Sequence, residues 1–452
     1  MMSGGQQMND TKEVVYPWFV LLSFSVMFFL VTAGTFTSLG VVLPDMVSEL
    51  GWDWTAAGLG FTLLGVSCGL SSYPPAYMIR KFGVRATVLF GTVILVAGFL
   101  LLYIVQDVPT YFIAMLLAGT GFSFVATVPG TYMIARCFKK QSMAFGIYFT
   151  IGGVGGIAGP LIYFAAVGVW DEWRMHWMIV AILMAVSGVI TAAFLREGEA
   201  EDRRADVIAN AAVDESASGV YVTRQKWTAM QALRTPQFYI IAAGYVAFLL
   251  CGITVNSLSV GHLTEIGIGM AVAGGLLSFE SFLNAASRAV SGFIGEYVDP
   301  KLLLIVSLAL LVVGMIGLGI GTTWLALMVY AVGIGIGYGT TFLATSVLLM
   351  NYFGRNAYLE LFSFMNVAAT LASFGPFLGG YLRDVTGTFV WAFFLYALVP
   401  LVVMIAVFFM RPPVRSSEEL EREEEAVMIA AALAHAGDME SAAEGEPVEV
   451  RA

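Results

Sequence analysis

Three polar side chains interrupt an apolar stretch of the chain, "FESFLNAASRAVSGFIGEYVD", which runs from Phe279 to Asp299. Glu280, Asn284 and Arg288 are spaced four residues apart, so a helix would place them along one stripe of its surface. A guanidinium is a planar fork that can bind a carboxylate through two parallel hydrogen bonds. Arg288 is therefore a candidate anchor for an acidic ligand, with a structural ion pair as the alternative.

The other two polar residues have open roles. Glu280 lies eight residues before Arg288, which is about 12 Å along a helix, so direct pairing of the two would be strained. Glu280 could instead bind and release a proton, or it could form a hydrogen bond that packs two helices. Asn284 could orient Arg288 or bind the ligand itself.

The composition indicates what must position these residues. Hydrophobic residues make up 59% of the 452 residues and charged residues only 12%, whereas globular proteins have about a quarter charged residues. Apolar segments of about twenty residues recur along the chain, and each could cross a bilayer as a helix. Their length and uniform apolarity predict an all-α membrane protein and argue against a β-barrel. A charge deep within such a span costs at least about 3 kcal/mol, so the polar stripe must face a cavity or other helices.

Hydropathy predicts twelve spans, numbered here in chain order: 17–41, 54–78, 86–106, 109–135, 141–167, 173–195, 237–261, 270–296, 302–321, 324–350, 356–383 and 388–411. The loops after even-numbered spans, with the segment after span 12, hold most of the basic residues: Arg80, Lys81, Arg85, Arg136, Lys139, Lys140, Arg196, Arg203, Arg204, Arg224, Lys226, Arg234, Lys301, Arg355, Arg411 and Arg415. The opposite loops offer only Arg174 and Arg383. This excess predicts a multi-pass protein of the inner or plasma membrane with both termini in the cytoplasm.

The hydrophilic segments divide the chain into five predicted parts: a polar N-terminus (1–16), an N-terminal six-helix bundle (17–195), a cytoplasmic linker (196–236), a C-terminal six-helix bundle (237–411) and an acidic, Ala-rich cytoplasmic tail (412–452). Within the linker, "REGEAEDRRADVIANAAVDESASG" is charged and poor in aromatics, which is typical of a flexible segment. "RCFKKQSMAFGIYFTIGGVGGIAGP" after span 4 resembles "NYFGRNAYLELFSFMNVAATLASFGP" after span 10. Such a repeat in the same orientation is typical of a two-half transporter.

Twelve spans, a long central loop and this repeat resemble the major facilitator superfamily. The loop signature of that family is partly present in "YMIRKFGVR", with Arg80, Lys81, Gly83 and Arg85, although Arg80 falls where the usual acidic residue belongs. The equivalent in the second half, "GFIGEYVDPK", keeps its acid as Glu296. The resemblance implies structural or gating roles for these residues. It also implies two pseudo-symmetric six-helix bundles that rock around a central site.

Finer motifs resemble monocarboxylate transporters: "CFKKQSMAFGIYFTIGGVGG" at span 5 and "NYFGRNAYLELFSFMNVAATLASFGPFLGGYLRDVTGTF" around span 11. The neighbouring oxalate–formate antiporter group shares much of this pattern. In the monocarboxylate family the span-8 arginine receives the substrate carboxylate, which implies that role for Arg288. Proton-coupled animal members carry an aspartate where Asn284 stands and a lysine near the position of Thr37, so Glu280 is the remaining candidate for proton coupling. Oxalate-type antiporters hold a span-11 lysine near the position of Asn366, and its absence here favours a monocarboxylate over a dianion.

Aromatic residues supply further candidates for the substrate site. Tyr338 and Phe342 lie one turn apart in span 10, "YAVGIGIGYGTTFLATSVLL", and could offer a hydroxyl and an apolar face, or simply pack between helices. Phe36 in span 1 is a weaker candidate. The glycines of span 10 permit close helix packing.

We therefore predict a secondary active transporter of small monocarboxylates such as lactate or pyruvate, driven by proton symport through alternating access. Its expected partners are the carboxylate, the proton and membrane lipid, and we expect a functional monomer without cofactor, metal or nucleic acid. One alternative is an organic-anion exchanger of the oxalate/formate type without protons. Another is a transporter-like membrane sensor. An enzyme is not expected, because HExxH, GxSxG and paired intramembrane aspartates do not occur.

Overall fold

A computed structural model describes residues 3–138, 141–196, 221, 223, 225, 227–294 and 298–414. This part of the chain is helical and contains no strand. Ten of its helical segments are long and apolar enough to cross a membrane. Two more complete the predicted set: Trp54–Leu70 has only 17 residues, and Met270–Ile294 carries the polar stripe of Glu280, Asn284 and Arg288. The prediction of an all-α membrane protein is confirmed.

In the N-terminal half, π-helical turns interrupt two of the six spans. Spans 1 to 6 consist of the following segments: Ser3–Thr32, the π turn Ala33–Thr37 and Ser38–Leu50 for span 1; Trp54–Leu70 and Tyr73–Tyr103 for spans 2 and 3; Val108–Phe122, the π turn Ser123–Thr127 and Val128–Cys137 for span 4; Gln141–Trp170 for span 5; Arg174–Phe194 for span 6. A π turn inserts one additional residue into a helix and often marks a functional region.

The helices of the C-terminal half are mostly uninterrupted. After a short helix at Ala229–Ala232, spans 7 to 12 consist of these segments: Pro236–Glu265 for span 7; Met270–Ile294 for span 8; Pro300–Ile320 for span 9; Trp324–Ala369 for span 10 and the start of span 11; the 3-10 turn Thr370–Phe374 and Gly375–Thr386 for the rest of span 11; Val390–Phe409 for span 12.

Two glycines with non-helical backbone angles lie between consecutive spans, where the chain turns back across the bundle. Gly83 (φ 85°, ψ 171°) separates span 2 from span 3, and Gly354 (φ 78°, ψ 168°) separates span 10 from span 11. A positive φ is readily adopted only by glycine, because no Cβ is present to clash with the backbone. Gly83 of the predicted loop signature is therefore needed for its backbone conformation. Gly354 adopts the same conformation at the equivalent position of the second half.

At one end of the bundle, which we call the basic end, Arg85 at the start of span 3 bonds to Leu195 at the end of span 6, and Lys301 at the start of span 9 bonds to Phe408 at the end of span 12. At the opposite end, which we call the far end, Trp173 bonds to Glu49 and Arg383 pairs with Glu265.

The two halves contact each other toward the far end, where Gly40 packs on the Asn256 carbonyl and Gly58 packs on the Pro376 carbonyl. Toward the basic end, a Cβ added at Gly146 of span 5 or Gly292 of span 8 would meet no atom within 4 Å. Gly146 and Gly292 lie two turns beyond Gly153 and Ala285, which touch across the same two helix faces. Within the described residues, the contact between spans 5 and 8 therefore ends before the basic end.

The end of the predicted linker packs on span 10. The Thr223 N–H donates to the Asn351 carbonyl at 2.8 Å, and the buried Trp227 ring lies 5.3 Å from the Phe353 ring. The segment that we predicted to be flexible, 196–219, lies outside the described residues apart from Arg196.

Candidate functional site

Arg288 is half-buried on span 8, and its guanidinium is held by its own helix. The Nε–H donates to Asn284 Oδ1, one turn earlier on the same helix face, at 3.0 Å. Among the residues that the structure describes, no acidic side chain lies within 4 Å of Arg288. The two terminal nitrogens have no hydrogen-bond partner within the same set. Among the described side chains, Asn284 therefore orients the arginine through Nε alone.

Two aromatic rings of span 10 flank the guanidinium. Its central carbon lies 4.8 Å from the centroid of Phe342 and 5.6 Å from that of Tyr338. At these distances the ring faces attract a cation. Gly252 of span 7 has no Cβ, and that space is filled by the Tyr338 ring. Both predicted aromatic residues thus lie beside Arg288.

The structure adds a residue that the sequence did not single out. The Tyr245 hydroxyl of span 7 donates to Asn366 Oδ1 at 3.1 Å, and its ring lies 6.3 Å from that of Phe342. Asn366 also donates to the Phe362 carbonyl at 2.9 Å, so its amide is fixed on both sides. A lone tyrosine in an apolar span carries no signal that separates a site residue from a packing residue, so only the fold identifies Tyr245.

The N-terminal half faces the site with an aromatic wall. Phe149 of span 5 lies 5.8 Å from Phe342, between ring centroids. The wall continues from Phe149 to Phe28, from Phe28 to Phe122 and from Phe122 to Phe36, with centroid distances of 6.0, 6.0 and 5.7 Å. Two rings, those of Phe28 and Phe122, therefore lie between the predicted candidate Phe36 and Phe149. In the described residues, Phe36 makes no direct ring contact with Arg288.

The two π turns support this wall. Phe36 lies within the π turn of span 1, and Phe122 immediately precedes that of span 4. The Tyr148 hydroxyl donates to the Ala126 carbonyl inside the second turn at 2.6 Å, which satisfies a buried carbonyl group. The first turn contains no proline and no charged residue. Pro129 follows the second turn and cannot donate to the Val125 carbonyl inside it, but sequence analysis did not single out either turn.

The glycines of span 10 pack alternately against span 8 and span 9. A Cβ at Gly335 would lie 2.6 Å from the Glu280 carbonyl, and one at Gly339 would overlap Ser287 Oγ and the Asn284 carbonyl of span 8. Gly333 and Gly337 pack in the same way on span 9. Close packing of this kind holds the polar stripe of span 8 against span 10.

Glu280 lies deeper in the contact between the halves than Arg288. Its side chain is 3% exposed, and the Ser281 hydroxyl donates to its Oε2 at 3.3 Å. No basic side chain within the described ranges lies within 4 Å of it. The acid and the arginine therefore do not form the ion pair that sequence analysis left open.

The loop-signature residues lie at the basic end. Arg85 Nε donates to the Leu195 carbonyl at 2.6 Å, which links the start of span 3 to the end of span 6. Arg80 and Lys81 are exposed, and the Lys81 ammonium lies 5.2 Å from the Phe82 ring. Glu296 lies outside the described residues. Over the described residues, no three His, Cys, Asp or Glu side chains come together to hold a metal ion.

Comparison with known proteins places these observations in a family. The family model described as "Major Facilitator Superfamily" matches residues 24–319 and 244–440, which together cover most of the chain. The sequence is also 23% identical over 296 residues to a protein named oxalate:formate antiporter from Oxalobacter formigenes. That similarity covers 65% of this chain and 67% of the antiporter.

Proposed function

Since this chain belongs to the major facilitator superfamily, a family of transporters, we propose that it is a secondary active transporter of small monocarboxylates with Arg288 as the carboxylate anchor. One observation carries this proposal: within the described residues the guanidinium is held by Asn284 through Nε and has no acidic partner. A charge in an apolar bundle is costly when it is unpaired. A bound carboxylate would supply both the missing charge and the missing hydrogen bonds.

The surroundings of Arg288 favour a short acid with a single carboxylate. Phe342 and Tyr338 lie beside the cation, and Phe149 approaches from the other half. These rings suit a small apolar body such as that of lactate or pyruvate. Asn366, whose position in span 11 corresponds to a lysine in oxalate-type antiporters, is neutral and already bonded to Tyr245. A dianion would therefore lack a second cation at that position.

Proton symport by alternating access is the proposed mode of transport, with Glu280 as the proton-binding group. The contact between spans 5 and 8 ends before the basic end. We therefore take the basic end as the open one, with Arg288 nearer to it along span 8 than Glu280. The basic loops support an orientation with this opening and both termini facing the cytoplasm of the inner or plasma membrane. We propose that a monomer is sufficient, because one chain holds both halves of the site.

The relative from Oxalobacter formigenes supports a second candidate, organic-anion exchange without protons. Uptake of labelled lactate, pyruvate, formate and oxalate into proteoliposomes separates the two. Symport predicts accumulation driven by an inward proton gradient into vesicles without internal anion. Exchange predicts uptake only when a counter-anion is loaded inside, with no response to the gradient.

Arg288→Gln tests the anchor directly. Truncating one partner of a buried, charge-paired contact costs roughly 2–5 kcal/mol, so we expect substrate affinity to fall by about 30-fold or more. Arg174→Gln is the matched control, because Arg174 pairs with Glu49 of the same half, at the far end, at 2.6 Å. Normal transport by a folded Arg288→Gln protein would show that the anchor role is wrong.

A further inference from the structure

Ser281 contacts both Glu280 in its own half and span 5 in the N-terminal half. Its side chain is 4% exposed, and its hydroxyl donates to Glu280 Oε2 at 3.3 Å. On the opposite side, a Cβ added at Gly156 of span 5 would lie 2.7 Å from Ser281 Oγ. The serine hydroxyl therefore lies between the Glu280 carboxylate and the backbone of the N-terminal half.

Ser281 belongs to a seam of small residues where spans 5 and 8 meet. Ser278 Oγ lies 3.5 Å from the Ile157 carbonyl oxygen. A Cβ added at Gly153 would lie 3.6 Å from Ala285 Cβ. Because the seam joins the two halves, it must rearrange whenever the halves rock. Of these contacts, the one at Ser281 also includes a bond to an ionisable group.

The charged and titratable neighbours of Glu280 come from its own half. They are Arg288 two turns along span 8 and the buried Tyr330 and Tyr338 of span 10. Span 5, Gln141–Trp170, contains no charged residue. Ser281 is thus the described hydrogen-bond donor to the carboxylate, and it stands on the side that faces the N-terminal half.

We propose that Ser281 is a positioning residue that transmits the protonation state of Glu280 to the contact between the two halves. An ionised carboxylate only accepts hydrogen bonds, so it holds the serine hydroxyl toward itself. A protonated carboxyl has lost its charge and accepts more weakly, so it holds the serine hydroxyl less firmly, and its own O–H can donate instead. The serine hydroxyl can then bond elsewhere along the seam. The proton that binds Glu280 would then change the packing of span 8 on span 5. This inference rests on the proposed function, since it takes Glu280 as the proton-binding group.

Ser281→Ala in proteoliposomes tests the inference. We expect the stimulation of lactate uptake by an inward proton gradient to fall at least fivefold. We also expect lactate affinity and lactate–lactate exchange at constant pH to change less than twofold, because neither requires net proton movement. Ser278→Ala is the matched control: it removes a hydroxyl from the same seam that is not bonded to Glu280, and it should keep the stimulation.

The outcomes distinguish this inference from the function on which it rests. Full gradient stimulation and an unchanged pH profile in Ser281→Ala would overturn the positioning role while leaving symport intact. No stimulation in the unaltered protein would overturn both, and that result needs no substitution to be seen. If Ser281→Ala does not fold, Gly156→Ala replaces it, because its methyl group would press on the serine hydroxyl, and the same loss of stimulation is expected.

Discussion

The two halves of the transporter contribute different chemistry to the same site. The C-terminal half carries Glu280 and Arg288 on an uninterrupted helix, supported by Asn284. The N-terminal half faces them with phenylalanine rings, and its span 5 contains no charged residue. Under the proposed function, the C-terminal half would recognise the charge of the ligand and the N-terminal half would cover its apolar part.

The difference extends to how the helices are built. In the C-terminal half, Gly335 and Gly339 bring span 10 against the polar stripe, and the Ser291 and Thr340 hydroxyls bond across the same contact at 3.0 Å. Close packing and hydrogen bonds hold charges in a fixed arrangement, as an apolar bundle requires. In the N-terminal half, π turns shape a surface without charge.

Among the changes that contrast the two halves, the largest expected effect comes from the packing that supports the charged half. In Gly339→Ala the new methyl group would overlap the Asn284 carbonyl and Ser287 Oγ, so spans 8 and 10 must separate and carry Arg288 with them. We expect a loss of about 1–3 kcal/mol in the free energy of unfolding, with substrate affinity at least tenfold weaker. Thermal unfolding in detergent and ligand titration measure both quantities.

The matched change in the other half is Gly153→Ala. Its methyl group would lie 3.6 Å from Ala285 Cβ, which is an ordinary contact. Stability and affinity should therefore stay close to those of the unaltered protein. Equal losses in the two variants would remove the contrast between the halves.

A smaller effect is expected from removing the aromatic ring beside Arg288. Phe342→Ala removes a ring 4.8 Å from the guanidinium, and a cation–π contact contributes about 0.5–2 kcal/mol. Substrate affinity should weaken by roughly 2- to 30-fold. Phe36→Ala should change it less than twofold, because Phe36 contacts Phe61 and Phe122 instead. A larger loss in Phe36→Ala would place the substrate against the N-terminal wall and reverse our assignment.

The smallest effect concerns the bond that joins the halves at the far end. Asp384 Oδ2 of span 11 accepts from the Thr55 N–H at 2.7 Å and from Thr55 Oγ1 at 2.5 Å. Each hydrogen bond contributes about 0.5–1.5 kcal/mol. Asp384→Ala should therefore raise the population that is open at the far end several-fold.

Distances between spin labels at the exposed Gln106 and Thr322, one in each half, measure this population. Asp384→Ala should add a longer distance, whereas Glu265→Gln should not, because the partner of Glu265 is Arg383 of the same half. An unchanged distribution in Asp384→Ala would show that the bond does not restrain the far end.

Local patterns account for what the sequence predicted well. The spacing of Glu280, Asn284 and Arg288 placed them on one face because the helical repeat is fixed by the backbone alone, and the Asn284–Arg288 bond follows from it. Gly83 of the loop signature has the positive φ that glycine readily adopts. The remaining assignments for Glu280, Tyr338, Phe342 and Arg288 stay predictions about function.

Other features depend on helices that are far apart in the chain. Tyr245 joins the site because span 7 packs beside spans 10 and 11. Phe36 does not reach Arg288, because other aromatic rings lie between them. Ser281 had no predicted role, since its contact with Gly156 crosses more than a hundred residues.

The amino-acid sequence by itself determined that this protein is a bundle of membrane-spanning helices with one fixed charge deep in span 8. Hydropathy and helix periodicity are properties of neighbouring residues, and lipid leaves the backbone few alternatives. Only the tertiary structure decided which groups surround that charge, that Glu280 does not pair with it, and where the two halves touch. Those facts depend on the packing of distant helices, in which a missing methyl group sets the distance between two backbones.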